Sequence, residues 1–263
     1  MRKTTIGIVT TAMLLAVGCG SRQEATELPQ KTAVADRLPD DEMVYGLACD
    51  GCTDTILVLL SDINANPDTF DILEASRNQR VIGHPRIGDQ MAVMLLNDSD
   101  SRDTDSLLPK RRMKTAAMVI DIDKLLGSWC YMVTPKLRQR AGIDKDMQQD
   151  FLKNVPDSVI RRLMQPREYG FQLKNDYQAQ PIGLVRQGNT TDDRSPVEYP
   201  VLKRYHEWRL LNGRLILNET RRDSLGEQQL VSSDTAEFVR LRLDSLVLRF
   251  NDGEHSYYTK TEN

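Results

Sequence analysis

Trp208-Arg209-Leu210-Leu211-Asn212-Gly213-Arg214-Leu215-Ile216-Leu217 reads throughout as a β-hairpin. Trp208 and Leu210 alternate before the central dipeptide, and Leu215 and Leu217 alternate after it. Asn-Gly supplies the two left-handed residues that a tight two-residue turn demands, which makes it the strongest short-range hairpin signal. Strands are expected over Tyr205–Leu211 and Arg214–Thr220.

The same grammar recurs on both sides. Tyr169–Leu173 turns at Asn175-Asp176 into Tyr177–Ile182. Phe238–Leu243 meets Leu246–Phe250 across Asp244-Ser245, where the phase of alternation shifts and a tight turn is required. Asn251-Asp252-Gly253 leads into His255–Lys260. With Gly127–Val133, about eight strands follow one another with one apolar face each, an order that closes into a barrel. Tyr169, Phe171, Leu173, Trp208, Leu210, Leu215, Leu217, Leu241, Leu248 and Phe250 would alternate inward. They either line a ligand cavity or fill a small barrel, since eight strands permit both. A helical insertion is expected within 135–165, where Asp146–Leu152 and Ser158–Met164 carry apolar residues three to four apart, split by Pro156.

Upstream lie shorter apolar runs: Val44–Leu47, Thr55–Leu60, Phe70–Glu74, Arg80–Ile82, Gln90–Leu96 and Ala116–Ile122. Asn64-Ala65-Asn66-Pro67-Asp68 and the Gly83–Asp89 segment break them. Short strands at such spacing fit a small antiparallel barrel, OB-like in type, over residues 43–123. The connection Asn97–Thr115 is acidic first and basic second, which describes a solvated loop. Asp98, Asp100, Asp103 and Asp105 do not make a calcium loop, because Arg102 stands fifth and Asp103 sixth, where a glycine is needed.

The N-terminus is of another kind. Arg2 and Lys3 lead into an apolar run, Ile6 to Val17, that stops at Ala16-Val17-Gly18-Cys19. A basic start, a short apolar core and small residues before a cut point describe an export signal over residues 1–18. This arrangement resembles the lipobox of bacterial lipoproteins. The resemblance implies that Cys19 is lipidated and becomes the new N-terminus. Residues 19–42 then form a polar tether, too poor in apolar residues to offset the entropy of ordering. The 263-residue chain carries a formal charge of −3, and loss of Arg2 and Lys3 makes it more acidic. Such a surface argues against nucleic acid as a partner. The expected location is the cell envelope, at the outer membrane, held by lipid alone.

Gly127-Ser128-Trp129 opens the second half as the Gly-x-Trp motif opens lipocalins. Together with Tyr169-Gly-Phe-Gln-Leu, the Trp208–Leu217 hairpin and Asp244-Ser-Leu-Val-Leu, residues 124–263 resemble the lipocalin-like domain of Gram-negative envelope lipoproteins. The expected fold class is therefore all-β: a small OB-like barrel, then an eight-stranded lipocalin-like barrel with a short helical insertion. The resemblance implies a basic residue covering the Trp, for which Arg249 is the candidate.

Four cysteines are present, and the anchor would leave three, an odd number for an exported protein. Cys49-Asp50-Gly51-Cys52 places two thiols where they can form a disulfide, pack as small side chains, or hold a soft metal such as copper or zinc. The string around it resembles the Cys-x-x-Cys strand of NlpE-type lipoproteins, which implies copper handling or envelope-stress sensing. Alternation puts Cys130 opposite Trp129, either buried and free or paired with Cys49 or Cys52. His84, His206 and His255 are the only histidines, and no nucleophile elbow, Walker loop or zinc-protease motif is present. The expected function is therefore non-enzymatic: a binding module for a small apolar or amphipathic ligand. The rivals are a metal or redox sensor acting through Cys49 and Cys52, and an accessory protein that contacts other envelope proteins.

Overall fold

The computed structural model describes residues 37–61, 66–96, 113–137, 153–183, 197–200 and 202–260. The leader 1–18, Cys19, the tether up to residue 36, the charged loop 97–112 and the helix expected at 146–152 lie outside the described residues. All described residues belong to one compact unit.

The first barrel comprises β1 (Val44–Ala48), β2 (Ile56–Ser61), β3 (Asp68–Asp71), α1 (Leu73–Arg77), β4 (Val81–Ile82), β5 (Gln90–Leu95) and β6 (Lys114–Asp121). β1 pairs antiparallel with β2 and with β5, β2 with β3, and β5 with β6. Phe70 of β3 then lies parallel to Lys114 of β6, which closes a five-stranded ring of OB-like order. β4 lies parallel to β6 on its other edge. Leu57, Leu59, Phe70, Met91, Val93, Ala116 and Val119 fill the interior. Ala92, Met118 and Ile120 alternate with these and belong to a different core cluster. β5 and β6 are thus covered on both faces, which is why their sequences run apolar without alternating. The run Phe70–Glu74 is strand only to Asp71. The Asp71 Oδ1 accepts the Leu73 N–H at 2.9 Å and starts α1, and Ile72 and Ala75 are buried at helical spacing.

A short helix, α2 (Ile122–Leu125), leads into the second barrel. Its strands are β7 (Gly127–Val133), β9 (Arg167–Leu173), β10 (Ala179–Ile182), β12 (Glu207–Leu211), β13 (Arg214–Arg222), β14 (Gln228–Leu241), β15 (Ser245–Phe250) and β16 (Gly253–Thr259). α3 (Asp157–Leu163) precedes β9, and a small ladder pairs β8 (Lys136–Leu137) with β11 (Val197–Glu198). Each barrel strand pairs with the next, and β16 returns to β7. Between β10 and β12 the link is a single bridge, Gln178 to Glu207, so the barrel is nearly closed. Where β9 crosses β7, a Cβ on Gly170 would collide with the Trp129 carbonyl, so the approach of the two strands requires glycine.

Two strands differ from expectation. Tyr177 lies in the turn with φ +62°, and β10 starts only at Ala179. β14 begins ten residues before Phe238, and its outer stretch runs through exposed residues paired to β13. A register shift between Phe238 and Arg240 lets Phe238 and Leu241 both point inward, leaving Leu243 exposed.

The expected hairpin turns at Asn212-Gly213, with φ +46° and +79°. Gly213 donates its N–H to the Met43 Sδ at 3.2 Å, so the tip rests on the first barrel. Met43, Tyr45, Ala92, Met118 and Ile120 join Trp129, Trp208, Leu210, Leu215 and Leu217 in one core cluster. The outer face of the first barrel thus seals one end of the second.

Candidate functional site

Inside the second barrel the two ends are unlike. Toward the seal, Trp129 and Trp208 are buried, and each indole N–H is satisfied at 2.8 Å by a backbone carbonyl, Leu125 O for one and Lys174 O for the other. Leu215, Leu217, Leu246 and Leu248 pack around them with no exposure. The opposite end opens into a cavity of about 540 Å³. It is bounded by β7, β9, β10, β14, β15 and β16 and by the segment that enters β12.

An aromatic wall forms because the inward positions of three strands continue past the packed layer. Tyr131 lies two residues beyond Trp129 on β7, Phe171 on β9 and Tyr257 on β16. Tyr131 and Tyr257 meet edge to face at 5.4 Å, as do Phe171 and Tyr205 at 5.9 Å, and Tyr257 meets Phe171 tilted at 5.1 Å. The Tyr205 hydroxyl donates to the Asp234 Oδ2 at 2.7 Å, and the Lys203 ammonium donates to the same oxygen at 2.7 Å. Burial, reinforced by Asp234, drives the Tyr205 phenol far above its ordinary range. Burial does the same to Tyr257, with Tyr131 the next contributor. At the rim His255 lies 3.1 Å from Asp252 and 5.1 Å from the Phe250 ring.

Among the inward residues read from sequence, Tyr169, Phe171 and Phe250 line the cavity. Leu173, Trp208, Leu210, Leu215, Leu217, Leu241 and Leu248 lie in the packed core that forms its floor. Tyr131, Tyr205 and Tyr257 were missed, although counting on by two from Trp129 reaches the first of them. Arg249 does not cover a tryptophan: it sits on the outer face and binds the Glu254 carboxylate at 2.7 Å.

Cys49 and Cys52 are free and half-buried. The Cys52 thiol donates to the Cys49 carbonyl at 3.1 Å and receives the Val58 N–H at 3.4 Å, so it closes the turn between β1 and β2. Cys130 is free and fully buried, opposite Tyr258 in the β7–β16 pairing. Burial and the nearby Glu168 carboxylate push its thiol up to about 11. Glu168 itself is held below the usual carboxylate range by bonds from Lys260 and Tyr258. Among the described residues, no group of three or more His, Cys, Asp or Glu side chains is placed to share a metal ion.

Beside the seal, Asp121 caps α2 by accepting the Lys124 N–H at 3.1 Å. Its other oxygen takes the Lys124 ammonium at 2.8 Å, and that ammonium also reaches Asp89 at 3.0 Å. Burial lifts the Asp121 carboxyl to about 6 against the pull of Lys124. Burial lowers Lys124, but its bonds to Asp121 and Asp89 outweigh that and hold it above its ordinary value.

No protein-family model and no curated protein matches the chain. A solved structure of a lipocalin-like protein from Bacteroides thetaiotaomicron is similar at 17% identity and a TM-score of 0.27, over 52% of this chain and 97% of that one.

Proposed function

We propose that this protein is a non-enzymatic binding module whose eight-stranded barrel takes a small amphipathic molecule into its open end. The carrying observation is the cavity of about 540 Å³, walled on one side by aromatic rings and lined elsewhere by polar and charged groups, above a fully packed floor. Sites for small molecules have this size, and polar groups facing aromatic rings suit a guest that is itself amphipathic. Export and lipidation at Cys19 would hold the module at the envelope, facing a compartment where amphipathic molecules need a carrier or a receptor.

Native mass spectrometry of the full chain, extracted in mild detergent, tests the reading. A co-purified small molecule that is lost in Phe171→Ala supports it. Bare protein, with no shift in unfolding temperature across a panel of amphiphiles, overturns it. The anchor is tested separately: Cys19→Ser protein that still fractionates with membranes refutes it.

A second reading has its own support. Cys49 and Cys52 are unbridged, half-buried and three residues apart. Two thiols of this kind suit a soft metal or a reversible disulfide. Copper or zinc titration of the wild type against Cys49→Ser/Cys52→Ser decides it, and identical titrations remove the sensor.

A further inference from the structure

The chemistry of the open end narrows what enters it, and the narrowing rests on the binding reading above. Trp129, Trp208, Leu217 and Leu248 close the barrel beneath the cavity, so an extended acyl chain finds no tunnel. The wall is a run of ring contacts from Tyr131 through Tyr257 and Phe171 to Tyr205, inclined to one another by 88°, 58° and 75°, so apolar surface is offered ring by ring and not as one plane.

Polar groups stand against that wall. Tyr205 is committed to Asp234. The hydroxyls of Tyr131 and Tyr257 have no hydrogen-bond partner among the described residues, yet neither is shut away from solvent, and both residues line the cavity. A phenol so placed offers one donor and two lone pairs to an incoming molecule. The charged residues of the lining balance in number, Lys203 and Arg204 against Asp234 and Asp252, and Lys203 pairs directly with Asp234. A mouth with balanced charges draws in neither cations nor anions preferentially.

A ligand matching all of this is neutral, compact, apolar on its ring faces and rich in hydroxyls at its edge. We infer that the open end of the eight-stranded barrel is a carbohydrate site. A pyranose lays the C–H face of its ring on the partly exposed Tyr205 ring, and its hydroxyls bond to the Tyr131 and Tyr257 phenols and to the Asp234 carboxylate. Ring stacking removes apolar surface from water, and the hydroxyls exchange water for fixed partners.

Saturation-transfer NMR on the full chain tests this. A zwitterionic detergent keeps glycosides out of the sample, and the probes are cellobiose, N,N′-diacetylchitobiose and octanoate. Transfer to sugar ring protons is expected for at least one disaccharide. Tyr131→Phe and Tyr257→Phe, which keep the rings, should each weaken it about three- to tenfold, the usual weight of one hydrogen bond. Tryptophan fluorescence from Trp129 and Trp208 reports whether each variant is folded. Transfer to octanoate alone overturns the carbohydrate assignment and leaves the binding module standing. Disaccharide transfer unchanged in both folded variants overturns it as well, by placing the sugar elsewhere. If no probe binds, the assignment is overturned, and the binding module is then judged on the co-purified molecule alone.

Discussion

Glu42 donates its backbone N–H to the side-chain oxygen of Asn212, 3.0 Å away and 170 residues further along the chain. Asn212 in turn donates its N–H to Asp41 at 3.3 Å and its side-chain amide to the Asp40 carbonyl at 3.1 Å. One residue of a hairpin turn thereby binds the segment that enters the first barrel. The turn sets the register of β12 and β13 and also joins the two barrels.

Gly213→Ala should therefore weaken the whole unit. Alanine is strained at φ +79°, and its Cβ would stand 2.8 Å from the Met118 Sδ. The thioether can shift, but the backbone strain stays, so a loss of about 1–3 kcal/mol is expected. Thermal unfolding checks it; an unchanged midpoint would show that the tip is not under tension.

Asp121 predicts a pH dependence. Its folded pKa is raised from 3.8 to about 6 by burial. A carboxyl raised on folding contributes stability that is complete below its ordinary value and lost as pH rises through the folded value. The Asp121→Asn variant mimics the protonated acid, and an asparagine side chain still caps a helix well. The stability of wild type minus that of Asp121→Asn should rise as pH falls from 7 to 4, by an amount of order 1–3 kcal/mol. Denaturant unfolding at each pH measures it, and a flat difference would mean that Lys124 fully offsets the buried charge.

Trp129→Ala should cost about 3–5 kcal/mol, the range for emptying a buried aromatic site. The loss includes the Leu125 carbonyl, which accepts the indole N–H at 2.8 Å and would be left without it. Denaturant unfolding measures this too, and a cost under about 1 kcal/mol would show that the floor of the barrel collapses readily to fill the gap.

The thiols should separate by reactivity. Cys49 and Cys52 are half-buried, whereas Cys130 has no exposure and a thiol raised to about 11. The thiolate is the reacting form, so iodoacetamide at a mildly alkaline pH of about 8 should label Cys49 and Cys52 and spare Cys130 until the protein unfolds. Peptide mass spectrometry reads the outcome, and equal labelling of Cys130 and Cys49 would contradict it.

Barrel strands were legible wherever one face meets the core and the other meets water. Trp208, Leu210, Leu215 and Leu217 announce their hairpin for that reason. The first half of β14 was not legible, because Gln228 through Val231 are exposed on both faces and are held by pairing with β13 alone. Residues 70–74 misled because an apolar run that short has no measurable period, and Ile72 with Ala75 suits a helical turn as well as a strand. The cavity was hardest to read. Phe171 and Phe250 came from alternation, but alternation does not say at which level a barrel stops being full. Tyr131, Tyr205 and Tyr257 reach the cavity from three separate strand regions, and only the closed ring brings them together.

The single bridge from Gln178 to Glu207 has one more implication. Ala179 donates to the His206 carbonyl and Trp208 to the Tyr177 carbonyl, each at 2.9 Å, where neighbouring strand pairs share long ladders. A cylinder with one such lap joint has a preferred line of breathing. Pro181 and Tyr205, both cavity residues, border that line. Amide hydrogens along β10 and β12 should therefore exchange with solvent ahead of those shared by β13 and β14, and a guest could widen its own doorway without unfolding the rest of the wall.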